Sequence, residues 1–195
     1  MNKKITLQQY RSIDLLILLM VQAVSQLVTY KAAAVWFADQ LFIVSPVAAV
    51  VALVMMRWSG YAAIHAVLGG IFYALIAGGD WHHILIYGLG NLFGMVSLLM
   101  LKLPGKERVR KDALLAMIFA FLTQLLMQLG RSAVAAVLGY PADICLGFVT
   151  TDILSGLFSM VIIWCVRKID GLFEDQKQYL LRIQQERSIE RGERF

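Results

Sequence analysis

The sequence predicts an all-α integral membrane protein: a bundle of six transmembrane helices with both termini in the cytoplasm. Three observations lead there. Of 195 residues, 59% are hydrophobic and 16% are charged, against about 25% charged in an ordinary soluble domain. Residues 41–56, 84–101 and 113–130 hold no charge at all, and apolar runs of about 17–25 residues suit a helix crossing ~30 Å of hydrocarbon. The basic residues, finally, gather on one side of these runs.

The first helix is expected at 13–30. It has the length of a span, and no A-x-A-like site follows it, so it reads as a span rather than a cleaved signal. The second (35–56) and third (59–79) are punctuated by Arg57 and Ser59-Gly60, and Gly78-Gly79 ends the third. The fourth (83–101) stops before Pro104-Gly105. The fifth is expected at 112–130. The piece 131–143 is too short to span and reads as a surface or re-entrant segment. Gly139-Tyr140-Pro141 precedes the sixth helix, 144–167.

Orientation follows from Lys and Arg. With the N-terminus inside, the inner flanks carry Lys3, Lys4, Arg11, Arg57, Lys102, Lys106, Arg108, Arg110, Lys111, Arg167 and Lys168, and the outer flanks only Lys31 and Arg131. Eleven against two is a positive-inside asymmetry. It explains the net charge of +5 without a nucleic-acid partner. Cys145 and Cys165 sit near opposite ends of one expected span, about 30 Å apart, and read as small core residues. Residues 1–168 thus form the membrane domain. The tail, 169–195, mixes both charge signs with an apolar stripe of Leu172, Phe173, Tyr179, Leu180 and Ile183. It is expected to extend the last helix and to lie on the membrane or a partner; a fraying end beyond Ile183 is the alternative.

Polar side chains inside a bilayer are costly, so their positions carry information. Gln22, Gln26 and Tyr30 follow at every fourth residue of the first helix, and His83, Tyr87 and Asn91 do so on the fourth. Gln124, Gln128 and Arg131 share a face of the fifth; Thr151, Asp152 and Ser155 lie about two turns into the sixth. Each stripe runs about 10–12 Å inward from the outer surface at 1.5 Å per residue. A common depth on four helices points to one pocket open to the outside. Asp80, Trp81, His82 and His83 would form its rim and Asn91 its floor, with Trp81 placed to stack on a flat ligand. The competing reading is that the amides only join helices. Asp152 needs a partner, which Arg131 or a ligand could supply. Asp14 reads as a helix-start residue and His65 as a buried, hydrogen-bonded histidine. Ala62, Ala66 and Gly70, like Gly90 and Gly94, read as small residues for close helix packing.

No P-loop, H-E-x-x-H or G-x-S-x-G occurs, and His82-His83 has no companion ligand nearby apart from Asp80. Neither an enzyme, nor a cofactor, nor a resident metal is expected. The chain reads as a binding subunit that takes its energy from elsewhere.

The third and fourth helices (RWSGYAAIHAVLGGIFYALIAGG, then GLGNLFG), the six-helix pattern, the basic loop after the fourth helix and the internal termini together resemble the substrate-binding S components of energy-coupling factor (ECF) transporters. The likeness spans residues 10–168. It implies a bacterial cell-membrane protein that captures a small water-soluble compound, a vitamin or precursor. Its partners would be a transmembrane coupling protein and two ABC ATPase subunits. It also implies ligand contacts from Tyr30–Gln40, including Trp36, and from Gly78–His83, together with the stripes of helices 4–6. The first helix, LLILLMVQAVSQLV, lacks that family's usual Ala-xxx-Ala docking motif, and the start MNKK excludes its nickel/cobalt branch. A non-transporting scaffold of the MreD type, with a similar helix arrangement, is the other reading.

Overall fold

The long helices bury polar side chains and expose apolar ones, the inverse of a water-soluble domain. In the computed structural model, which describes residues 6–36 and 44–190, the chain forms ten α-helices and no strand among those residues. On α1 (Leu7–Trp36), Gln22 and Gln26 are buried, while Leu16, Ile17, Met20, Val21, Val24 and Val28 are exposed. Such a face is unfavourable in water and suited to lipid. Five helical stretches are long and apolar enough to cross a membrane: Leu7–Trp36, Val47–Ile76, Trp81–Lys102, Ala113–Val137 and Ala142–Val166.

The helix starts six residues earlier than the expected residue 13. Thr6 and Gln9 explain this, because each side chain accepts a hydrogen bond from the other's backbone N–H, a capping box. Phe37–Ile43, part of the expected second helix, and Gln40 of the expected ligand loop lie outside the described residues.

The stretch Val47–Ile76 is not one rod. It comprises α2 (Val47–Trp58), a 3₁₀ turn (Ser59–Tyr61) and α3 (Ala62–Ile76). Ser59, at φ 53°, reverses the chain. A methyl group on Gly69 would lie 2.9 Å from Val47 Cγ1, whereas a straight helix would hold these residues about 33 Å apart. All twelve residues of α2 are buried, so it forms the axis around which the others wrap.

Next come α4 (Trp81–Gly90), a 3₁₀ segment (Asn91–Ser97), α5 (Leu98–Lys102) and the short α6 (Lys106–Lys111). The expected fourth helix is therefore interrupted. Asp112 accepts from the N–H groups of Leu114 and Leu115 and starts α7 (Ala113–Val137). That helix continues through 131–137, where a re-entrant segment was expected. RSAVAAV contains no breaker, and the chain turns only at Gly139, φ 84°. The expected sixth helix is also divided, into α8 (Ala142–Thr150) and α9 (Ile153–Val166).

Met55, Met56, Phe119, Ala120, Met127 and Ile163 fill the core between α2, α7 and α9. Small residues set the helix spacing, as the sequence pattern suggests. A side chain on Gly90 would meet the Arg131 backbone at 2.6 Å, and one on Gly70 would collide with the Tyr87 carbonyl. His65 is 1% exposed, with Nε2 3.1 Å from the Leu15 carbonyl. Cys145 is buried, but Cys165 is exposed on the outward face of α9 rather than in the core.

One end of the bundle is held by charge. The Arg57 guanidinium donates to both carboxylate oxygens of Asp14 (2.9 and 2.7 Å) and to the carbonyls of Gly171 and Leu172. Asp14 also accepts from the Trp58 indole. It is thus an interhelical partner and not a helix-start residue, because α1 begins two turns earlier. The tail does not continue α9. It turns at Gly171, buries Phe173 and Gln176, and forms the separate helix α10 (Gln176–Glu190). Its acids reach the basic loop: Asp175 pairs with Lys106 at 2.7 Å and Glu174 with Arg110 at 2.9 Å.

Arg57 is 5% exposed, so Asp14→Ala would strand a buried cation at a cost of about 3–5 kcal/mol. The melting temperature in detergent should fall sharply. The double change Asp14→Ala/Arg57→Met should recover most of it, since neither partner is then left charged.

Candidate functional site

Two helix interruptions meet inside the bundle. Asn91 stands where α4 passes into the 3₁₀ segment, and Asp152 stands in the gap between α8 and α9, at φ −101°, ψ 12°. The second gap has a local cause. Thr150 and Thr151 turn their hydroxyls back onto the carbonyls of Leu146 and Gly147, a bonding pattern that bends helices.

Arg131 of α7 joins the two. Its Nε donates to Asn91 Oδ1 at 2.8 Å and its Nη1 to Asp152 Oδ2 at 2.6 Å. The guanidinium lies over the Tyr87 ring, 4.8 Å from the centroid. Asn91 in turn donates to the Ala66 carbonyl of α3, and Gln124 reaches Asp152 at 3.4 Å. Ser155 donates to Asp152 Oδ1 and accepts from the Ser45 N–H just before α2. Arg131 is 3% exposed and Asp152 22%. Arg131 is therefore an interior ion-pair partner and not an outer-flank charge, as the sequence count had it.

Tyr73, Ser45, Val47 and Gly69 complete the lining. Tyr73 lies against Tyr87 with ring centroids 4.6 Å apart. Sequence reasoning missed these four. A signal existed for Gly69 and Tyr73, which follow His65 at steps of four on α3. The node is packed shut: no space large enough for a water molecule remains among these side chains.

Four glutamines surround this region, none more than 1% exposed. Gln22 and Gln26 donate to the His65 and Gly69 carbonyls of α3. Their Oε1 atoms, with Gln124 Oε1 and Gln128 Nε2, are buried without a hydrogen-bond partner among the described residues. Buried polar atoms are rarely left so.

Of the residues singled out from sequence, Tyr87, Asn91, Gln124, Arg131 and Asp152 converge directly. Gln22 and Gln26 join through α3, Gln128 stands one turn from Gln124 on α7, and Tyr30 is half-buried on α1. Trp36 and Trp81 are 74% and 59% exposed, and Trp81 stacks on His82 at 3.6 Å. His83 and His82 both engage Asp80. The expected rim is thus organised as a helix start, with Asp80 accepting from the His83 N–H as the cap of α4. Comparison with known proteins finds no matching family model, no matching curated protein and no matching solved structure. The site is therefore read from its own geometry.

The His83 side chain and N–H, then His82, hold the Asp80 carboxyl well below the usual carboxylate range. A depressed folded-state value means that the cap contributes above about pH 4 and is lost as the pH falls further. Hydrogen exchange at the amides of His82–Ile84 should accelerate on going from pH 6 to pH 3, after correction for intrinsic rates. Asp80→Ala, which removes the cap acceptor, should show the faster exchange already at pH 6.

Proposed function

We propose that the chain is the membrane-embedded substrate-capture subunit of an uptake transporter of the energy-coupling factor type, and that it binds a small water-soluble compound at the Arg131–Asp152–Asn91 node. The supporting observation is that node itself. A buried ion pair between helices is no general source of stability, and ionisable groups within spanning helices mark ligand or ion pathways. Broken helices at mid-depth serve the same purpose in transporters, where irregular backbone lines a binding cavity. The unpartnered amide atoms offer further contacts to a ligand. Because the node is closed, capture requires it to open, and the two interruptions at Asn91 and Asp152 are the places where helices can pivot.

In this reading the chain spans the bilayer six times, with α2 and α3 crossing separately. The basic end with both termini is cytoplasmic, and Asp80–His83 face outside. A transmembrane coupling protein and two ATPase subunits supply the energy, and the ligand is a vitamin or a precursor. Labelling of single cysteines on a cysteine-free background tests the orientation: position 82 should react with an impermeant reagent from outside and position 108 only after permeabilisation.

A second reading, a non-transporting scaffold, is favoured by a specific observation. Gln22, Gln26 and Asn91 each hold a carbonyl of α3, which is what helix-joining amides do. Native mass spectrometry of the purified chain separates the two. Capture predicts a copurifying small molecule. Asn91→Ala should then weaken its binding about 5- to 150-fold, the loss of about 1–3 kcal/mol for a buried hydrogen bond. A lower melting temperature with an unaltered dissociation constant would support the scaffold.

A further inference from the structure

The basic end contains a second, open cleft of about 440 Å³ between the start of α1, the Ser59 turn and the tail. Arg11, Ser59 and Lys177 form its polar side, and Trp58, Tyr61 and Ile64 its apolar side. Its charge balance is uneven. Arg57 is matched by Asp14 and Asp175 by Lys106. Arg11 and Lys177 have no acidic partner among the described residues; Arg11 instead lies over the Tyr61 ring, 4.2 Å from the centroid. Two cations are thus left over in one concave site.

The cleft also lies at a boundary. Tyr61 and Ile64, which line it, are 42% and 51% exposed, so apolar outward surface adjoins the cationic side. Trp and Tyr favour the interfacial level of a bilayer. We propose that this cleft holds the headgroup of an anionic phospholipid, with the phosphate between Arg11 and Lys177 and the acyl chains along Tyr61 and Ile64. A soluble phosphate would use the two cations but leave that apolar surface uncovered, so the lipid fits more of the site. This site is separate from the node and holds whether or not the node binds a solute.

A general attraction of basic residues to an anionic leaflet, worth about 1 kcal/mol per charge, would be shared by the exposed Arg108 and Lys111. The test compares equal charge changes. The full chain in detergent is titrated with dioleoyl phosphatidylglycerol or dioleoyl phosphatidylcholine and followed by native mass spectrometry and thermal melting. The wild type should retain phosphatidylglycerol selectively and melt higher with it, and 10 mM inorganic phosphate should not displace it. Arg11→Gln/Lys177→Gln should bind it about tenfold or more weakly, whereas Arg108→Gln/Lys111→Gln should retain it. Arg11→Lys/Lys177→Arg keeps both charges and should also retain it, and this pair remains informative should the glutamine pair fail to fold. Absence of a preference for phosphatidylglycerol, equal losses in the two glutamine pairs, or displacement by phosphate would overturn the proposal.

Discussion

Arg131 is the residue on which the polar interior depends. An apolar bundle offers no water to a displaced donor, so each buried polar group needs a partner supplied by the fold. Through one guanidinium, the end of α4, the last third of α7 and the gap between α8 and α9 are fixed relative to one another. Ser155 then passes the connection to the N-terminus of α2. The small residues are part of the same arrangement. Gly90 lets the α4 backbone lie against Arg131 itself, which brings Asn91 within reach of the guanidinium.

The opposite end repeats the device with other residues. Arg57 stands in the last turn of α2, where the helix dipole favours a cation, and Lys106 donates to the Met56 carbonyl of that same turn. Asp152 lies near the other end of α2, where an anion is favoured. The wholly buried α2 therefore runs between an acid at its start and cations at its finish. Its length of twelve residues, about 18 Å, sets the distance between the two polar centres.

The apolar runs, the small-residue packing and the polar convergence of Tyr87, Asn91, Gln124, Arg131 and Asp152 were legible in the sequence, because periodicity and the cost of buried polarity act locally. The start of α1 was legible too, in Thr6-x-x-Gln9, but a search for apolar residues passes over a capping box. The interruption at Asn91 was not, since it stands where one helix meets the Arg131 side chain of another; the one at Asp152 had only the local sign of Thr150-Thr151. Nor could the Asp80–His83 group be placed. Its residue types suit a ligand rim and a helix cap equally, and only geometry shows that the carboxylate faces the His83 N–H. The tail was misread for a related reason. Its acids look solvated in sequence, and the basic loop that Glu174 and Asp175 reach lies more than sixty residues away.

That tail has a consequence for the order of biogenesis. Asp14 and Arg57 can pair as soon as the first part of the chain has been inserted. The remaining Arg57 donor bonds, to Gly171 and Leu172, and the Lys106–Asp175 and Arg110–Glu174 pairs must wait until residues 171–175 have been made. Until then, the loop that the tail will neutralise is uncovered, and its positive charge is free to hold the nascent protein on one side of the bilayer. Closure of the basic end is in this sense a later step than the pairing of Asp14 with Arg57.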